Sequence, residues 1–323
     1  MGSTIEEAVK LGQDAIDVQA IRDAFREAIA DDGRAVRQIA PETGIPYGTL
    51  SAFVNGSYNG DNARIAGVAR TWLTTRKARE EARRTTREAP PFVMTKTSRA
   101  FFDVLEFAQS MPAIGVITAS SGIGKTVTIT KYAEHSANTW IVTATPVSQS
   151  PSAVLDMIGT KLSIVRSQRL HVASMAIQNR LRNTRGLLIV DEAQHLQPDA
   201  RDQLRSIFDL ADIGIALVGS DDLDKRLRTE RDQGHYAQFS SRISHRVNRR
   251  TPLKNDVQML LDAWGLTEPS ARDVAVGIAM KPGANRQMTM ALRMAFAVAD
   301  QNGVDQPSAD DITACYQQLG GGV

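Results

Sequence analysis

The 323-residue chain has one cysteine, Cys315, which excludes an internal disulfide or a thiolate metal cluster and suits a reducing compartment. Long apolar runs are missing too. The longest, such as Ile114 to Thr118 and Leu187 to Val190, fall far short of the roughly 20 residues a membrane helix needs, so no membrane partner is expected. The opening Met1 to Glu6 has no apolar signal core, and Glu6 stands where a myristoylation site wants Ser or Thr. Neither export nor a lipid anchor is expected, and the cytoplasm is the default location. The five histidines, His135, His171, His195, His235 and His245, show no metal-ligand spacing, and no nuclease-type carboxylate triad stands out. There is no fixed-period repeat and no low-complexity tract. Net charge is only +2, so any contact with nucleic acid must come from local charge rather than from the whole-molecule field. What is present is globular: 42% hydrophobic residues, in a chain long enough for two or three domains.

Charge and periodicity divide the chain. Residues 1–73 carry 7 basic and 10 acidic side chains, net −3, whereas residues 74–99 carry 8 basic and 3 acidic ones, net +5. From Ile5 to Ala30 apolar residues recur at helical spacing until Asp31-Asp32-Gly33 stops the pattern. Residues 74–91, rich in Arg and Thr and ending in Pro90-Pro91, read as a partly helical basic linker. Beyond it, β-rich runs at Ile114 to Thr118, Thr139 to Ala144, Gly186 to Val190 and Ile213 to Val218 alternate with helical patterns, the signature of a parallel α/β sheet. From Lys254 onward the pattern is helical only, broken at Gly265, Pro269, Lys281-Pro282-Gly283 and Asn302-Gly303.

The run Ala119-Ser120-Ser121-Gly122-Ile123-Gly124-Lys125-Thr126, with Val127 behind it, follows a predicted strand and opens a helix. Apart from Ala119 in place of the first glycine, it matches the nucleotide-binding phosphate loop. Gly122 and Gly124 let backbone amides turn inward around phosphates, Lys125 reaches the β and γ oxygens of ATP, and the Thr126 hydroxyl ligates Mg²⁺. Farther on, Gly186 to Glu192 places two carboxylates at the end of an apolar strand, a Walker B arrangement. Asp191 would hold the Mg²⁺ shell, and Glu192 would orient and deprotonate the attacking water. The next strand ends at Gly219-Ser220, where Ser220 is either a sensor of the γ-phosphate or a plain turn serine. Arg242 and Arg246, in the run Phe239 to Arg246, are candidates for an arginine finger that reaches a neighbouring subunit's γ-phosphate, the alternative being solvated surface arginines. Arg286, in Gly283-Ala284-Asn285-Arg286 at a helix start, looks like a sensor that couples the last domain to the nucleotide.

These pieces in this order resemble the AAA+ ATPases of the initiator and transposition branch. The run Asp191-Glu192-Ala193-Gln194-His195-Leu196 is similar to that of the group containing the bacteriophage Mu B transposition protein and related target-selecting ATPases of transposons. The resemblance covers about residues 92–320. It implies an ATP-dependent, Mg²⁺-requiring ATPase in a bacterial or phage-infected host cell. Such an ATPase binds double-stranded DNA with little regard to sequence, forms a homo-oligomer (an ATP-dependent helical filament or ring) and delivers the DNA to a transposase. A helix-turn-helix domain in front also belongs to that plan. Ile39, Ala40, Gly44, Ile45, Leu50 and Phe53 occupy helix-turn-helix spacing, which would present Tyr47, Thr49 and Ser51 to DNA. Pro41, where the first helix should continue, and the domain's acidity count against it, and a protein-binding three-helix unit is the alternative. Lys161, Arg166, Arg169, Arg180, Arg182 and Arg185 occur with no acid among them and would add phosphate contacts, unless they are a solvated face. Residues 252–323 carry eight acids against five bases and are not assigned DNA binding.

The expected architecture is therefore an all-α helix-turn-helix domain (1–73), a basic linker (74–91), an α/β P-loop AAA+ core with a parallel sheet and helices on both faces (92–252), and a small C-terminal helical domain (253–323). Two other functions share these features: a replication initiator or helicase loader, and a helix-turn-helix transcriptional regulator with an ATPase switch.

Overall fold

A computed structural model of the chain describes residues 17–85, 89–232 and 237–322. The chain divides into two compact units, Met1–Arg87 and Glu88–Val323.

In the first unit, helices Val18–Asp32, Val36–Thr43, Tyr47–Asn55 and Asn62–Thr85 enclose a core that includes Phe25, Ile39, Leu50, Phe53, Ile65 and Trp72. The first helix ends where the sequence indicates, at Gly33 in the left-handed region with φ 64°; the earlier part of the periodic stretch, residues 5–16, lies outside the described residues. Pro41 does not end the second helix, which runs on to Thr43 and stops at Gly44, φ 68°. A proline so near the C-terminal end removes one backbone bond from a last turn that has few to lose. The basic stretch beginning at residue 74 is helical through Thr85 and continues the helix from Asn62 without a break. One of its arginines serves the core's rim: the Arg76 guanidinium donates to the carbonyl of Ala28 and lies 5.5 Å over the Trp72 ring.

The second unit is built on five parallel strands: β1 Ile114–Ala119, β2 Thr139–Thr143, β3 Leu187–Asp191, β4 Gly214–Gly219 and β5 Ile243–Arg249, in the order β2-β3-β4-β1-β5. Alternate residues feed two cores, because side chains in a strand point to opposite faces. Val116, Leu188, Val190, Ile215 and Leu217 pack under helices Pro151–Lys161, Leu170–Leu181 and Pro198–Ala211. Ile117, Leu187, Ile189, Ala216 and Val218 pack under helices Lys96–Ser110 and Lys125–His135. Strands buried on both faces need the continuous apolar runs seen in β1, β3 and β4. The edge strand β5 has no such run. Its sequence Ile-Ser-His-Arg-Val-Asn-Arg alternates half-buried and exposed positions, and only the period of two marks it as a strand.

The chain then forms helices Lys254–Trp264, Pro269–Ala279, Ala284–Gln301 and Ala309–Gln318 around Leu261, Trp264, Met288, Leu292, Phe296 and Ile312. This bundle joins the sheet domain at a defined point. The buried Asp256 carboxylate accepts from the Lys96 and Thr97 amides, both at 3.0 Å, and so caps a helix of the other subdomain. Among the described residues no helix is long and apolar enough to cross a membrane.

Candidate nucleotide site

Parallel strands deliver their carboxyl ends to one edge, and a crevice opens there where the chain leaves β1 for a distant strand. The loop after β1, the Asp191-Glu192 end of β3 and the Gly219-Ser220 end of β4 all meet at that edge. Gly122 and Gly124 have φ of 83° and 109°, conformations that side chains strain to adopt; they curl the loop so that the orphan amides of the helix Lys125–His135 face its hollow. Lys125 is 8% exposed, and its ammonium is drawn back over the loop to the carbonyls of Ala119, at 2.6 Å, and Ser120, at 3.2 Å. Burial lowers its pKa, opposed by the Glu192, Asp191 and Asp221 carboxylates; Arg286, also in electrostatic reach, lowers it further.

The Thr126 hydroxyl donates to Asp191 Oδ2 at 2.9 Å, and the Glu192 amide donates to Asp191 Oδ1 at 2.9 Å. Asp191 is 3% exposed; burial raises its pKa, and the Thr126 hydroxyl and Glu192 amide hold it down. Thr126 and Asp191 thus offer two adjacent oxygens to a hard cation, as Mg²⁺ requires when phosphates and water fill the other positions. Glu192 stands in the left-handed region, φ 54° and ψ 34°, so the chain turns sharply after the strand and sets this carboxylate beside, not along, the line of β3.

The family profile described as AAA domain matches residues 109–227, and the profile described as Mu B transposition protein, C terminal, matches residues 241–319. The chain is 30% identical, over 94% of its own length and 96% of the relative's, to the ATP-dependent target DNA activator B of Escherichia phage Mu. The chain belongs to the Mu B transposition protein family. To the Mu-like prophage FluMu DNA transposition protein B of Haemophilus influenzae it is 36% identical over 82% of the chain and 92% of the relative. Among solved structures, the Aeropyrum pernix ORC2 protein superposes with a TM-score of 0.54 at 17% identity, covering 72% of this chain and 70% of that one, a likeness of fold alone. With an AAA domain around these groups, this Mu B family member is an ATPase.

The other predicted residues of this Mu B family chain are spread more widely. Ser120 donates through its hydroxyl to Asp221 Oδ2 at 3.3 Å, Ser121 is exposed, Ile123 is buried in the core, and Val127 projects outward, 60% exposed. Ser220 is at the site, but its side chain is turned away: its hydroxyl accepts from the Asp222 amide at 3.3 Å, capping the helix Asp221–Asp232. Arg286 lies in the first turn of the helix Ala284–Gln301, against the loop; a Cβ placed on Gly122 would stand 3.3 Å from that of Arg286. Arg242 is not at this edge. Its carbonyl accepts from the Ile114 amide at the start of β1, and its guanidinium pairs with Asp209 at 3.2 Å. Six residues of strand, roughly 20 Å, separate it from the loop. Arg246 is exposed in the middle of β5. Arg166, 79% exposed, pairs with Asp156 at 2.8 Å, and Arg169 stands before the helix Leu170–Leu181. In the first unit, Tyr47 is 51% exposed at the start of its helix, with Thr49 and Ser51 half-buried behind it.

Two further residues, to which the sequence assigns no role, join the site. Asp221 gathers three strand ends, accepting from Ser120 and from Asn248 (3.3 Å each) and lying 3.9 Å from Arg250. Gln194 donates through Nε2 to the Glu192 carboxylate, and its Oε1 accepts from the Ser220 amide at 3.1 Å. Gln194 lies within the run Asp191 to Leu196, but its contact with Ser220 and those of Asp221 with Ser120 and Asn248 join residues far apart in the sequence.

Proposed function

We propose that this chain is an ATP- and Mg²⁺-dependent DNA-binding ATPase of DNA transposition, which assembles on target DNA as a filament or ring and delivers that DNA to a transposase, within a bacterial or phage-infected cell. The reading is carried by one observation, the joining of Lys125, Thr126, Asp191 and Glu192 at a single sheet edge. Similarity along 94% of the chain to a protein named for ATP-dependent activation of target DNA supports it. A Mg²⁺ ion held by Thr126 and Asp191 would neutralise charge on the phosphate oxygens. Lys125 exchanges its two loop carbonyls for phosphate oxygens, a favourable trade of neutral for charged acceptors. Glu192 takes the proton of the attacking water. Because Arg242 stands some 20 Å from its own loop, it can serve a nucleotide only across a subunit boundary, and Arg246 is the other candidate finger. Arg166 and Arg169 meet DNA phosphates without reading sequence, and Tyr47, Thr49 and Ser51 form a second contact on the first unit. The divisions 1–73, 74–91, 92–252 and 253–323 are kept as the functional division of labour, the helical stretch 74–85 acting as an arm of the first part.

In this cycle ATP holds subunits together on DNA and hydrolysis releases them, so two variants should fail in opposite directions. Lys125→Ala should abolish ATP-dependent DNA binding. Glu192→Gln keeps the shape and the charge pairing of Asp191 but removes the base, so it should bind ATP normally, hydrolyse little and stay on DNA longer than the native protein when ATP is diluted. Equal lifetimes for native and Glu192→Gln complexes, timed by fluorescence anisotropy, would sink the assembly cycle, and a sequence-specific footprint would favour the operator-binding regulator instead.

A further inference from the structure

The turn Ala193–His195 places the Gln194 amide between two strand ends. Its orientation is determined by chemistry: the Ser220 backbone amide can only donate, so the oxygen of Gln194 must face it, at 3.1 Å, and the NH₂ group must face the Glu192 carboxylate, whose Oε2 accepts from Gln194 Nε2. Gly219 leaves room for this arrangement, since a Cβ there would stand 2.6 Å from the Gln194 oxygen. The carboxylate has about four lone-pair sites, and the bond from Gln194 occupies only Oε2, leaving Oε1 to receive a proton. Glu192 itself is a non-glycine residue in the left-handed region, φ 54°, a backbone that does not by itself fix where a long side chain points.

A general base works when a third group orients it, as an acid orients the imidazole in nucleophile–base–orienter triads. We propose that Gln194 is the positioning residue for Glu192: it holds the carboxylate through one oxygen, presents the other to water, and ties that orientation to the end of β4 through the Ser220 amide. This rests on the reading of Glu192 as the base. It assigns Ser220 a part through its backbone, while its hydroxyl caps a helix.

The test is ATP turnover and nucleotide affinity of the full chain. Gln194→Ala should lower kcat about tenfold or more, a part of the 10²–10⁴ that a general base supplies, with KM and ATP affinity within about twofold. Gly219→Ala, which removes no polar group but pushes its methyl into the amide's place, should lower kcat in the same way, and in the Gln194→Ala background it should add no further loss. Glu192→Gln is measured alongside. If Glu192→Gln still turns over, the base reading fails and this inference with it. If Glu192→Gln is inactive while Gln194→Ala keeps or exceeds native kcat, only the positioning role is overturned. Losses of kcat and ATP affinity by the same factor, or independent, multiplying losses from Gly219→Ala and Gln194→Ala, would also overturn it.

Discussion

Removing the Asp256 carboxylate should loosen the nucleotide-holding unit by an amount that can be worked out bond by bond. The first four amides of a helix lack partners within it. In the helix Lys96–Ser110, Thr95 supplies one acceptor, to the Ser98 amide at 3.1 Å, and Asp256 supplies two, at 3.0 Å each, from 160 residues away in sequence. In Asp256→Ala the Lys96 amide, at an exposed position, can turn to water, whereas Thr97 is buried and its amide is left without an acceptor. A buried donor so stranded costs about 1–3 kcal/mol and each lost bond to a charged group about 1.5–3, offset in part because the Asp256 charge is no longer held in a buried place. A net loss of about 2–3 kcal/mol follows, which for a unit of this size lowers Tm by about 5–10 °C. Asp256→Asn keeps one acceptor and turns NH₂ against the other amide, so it should fall in between. The measurement is calorimetric unfolding of the full chain, following the transition that ATP shifts upward, since that transition belongs to the unit that binds it. A Tm for Asp256→Ala within about 2 °C of native would refute this accounting of the helix start.

Two further outcomes are expected. Burial holds the Asp191 carboxyl above the ordinary carboxylate range, so between pH 3.8 and that raised value the folded chain keeps a proton that the unfolded chain releases, and stability falls as pH rises through this window. Asp191→Asn, which can still pair with Thr126 and the Glu192 amide, should therefore raise the Tm of the nucleotide-free protein at pH 7 by a few degrees and abolish turnover, with the stability gain vanishing below about pH 4; a lower Tm at pH 7 would contradict it. To reach DNA as proposed, Arg166 would give up only an exposed ion pair with Asp156, worth about 0–1 kcal/mol. Arg166→Ala with Arg169→Ala should thus flatten the log–log salt dependence of DNA binding by about two units, and an unchanged slope would take both off the contact surface.

The site was legible where its chemistry is local. Lys125 and Thr126 lie next to the glycines that shape their loop, and Asp191 and Glu192 end a run of apolar residues that could only be a buried strand, so residue type and spacing sufficed. Gln194 sat in plain view beside Glu192, but its meaning depends on the Ser220 amide at the end of another strand, and that proximity is a product of strand order. Asp221 was hidden for the same reason. The strand β5 was passed over because Ile243 and Val247 are its only apolar residues, few enough that the arginines around them drew the reading toward surface chemistry. The basic stretch from residue 74 reads as a partly helical basic linker, and its described part is helical, but that Arg76 spends its charge on Ala28 and the Trp72 ring is a use of arginine that composition alone does not reveal.

The carbonyl oxygen of Gly283 stands 1.9 Å from where a Cβ on Gly122 would be, so the phosphate loop and the tip of the helical bundle touch backbone to backbone with no side chain to cushion them. Directly behind that contact begins the helix Ala284–Gln301, 18 residues and therefore about 27 Å long. The arrangement is a lever with its short end resting on the loop. Since a rigid rod turned by about 5° about one end swings the other by about 2 Å over this length, a shift too small to alter the loop's hydrogen bonds is geared up at the far end of the bundle. Asp256, clamped to the start of the helix Lys96–Ser110, is the fixed mounting against which that swing would be felt.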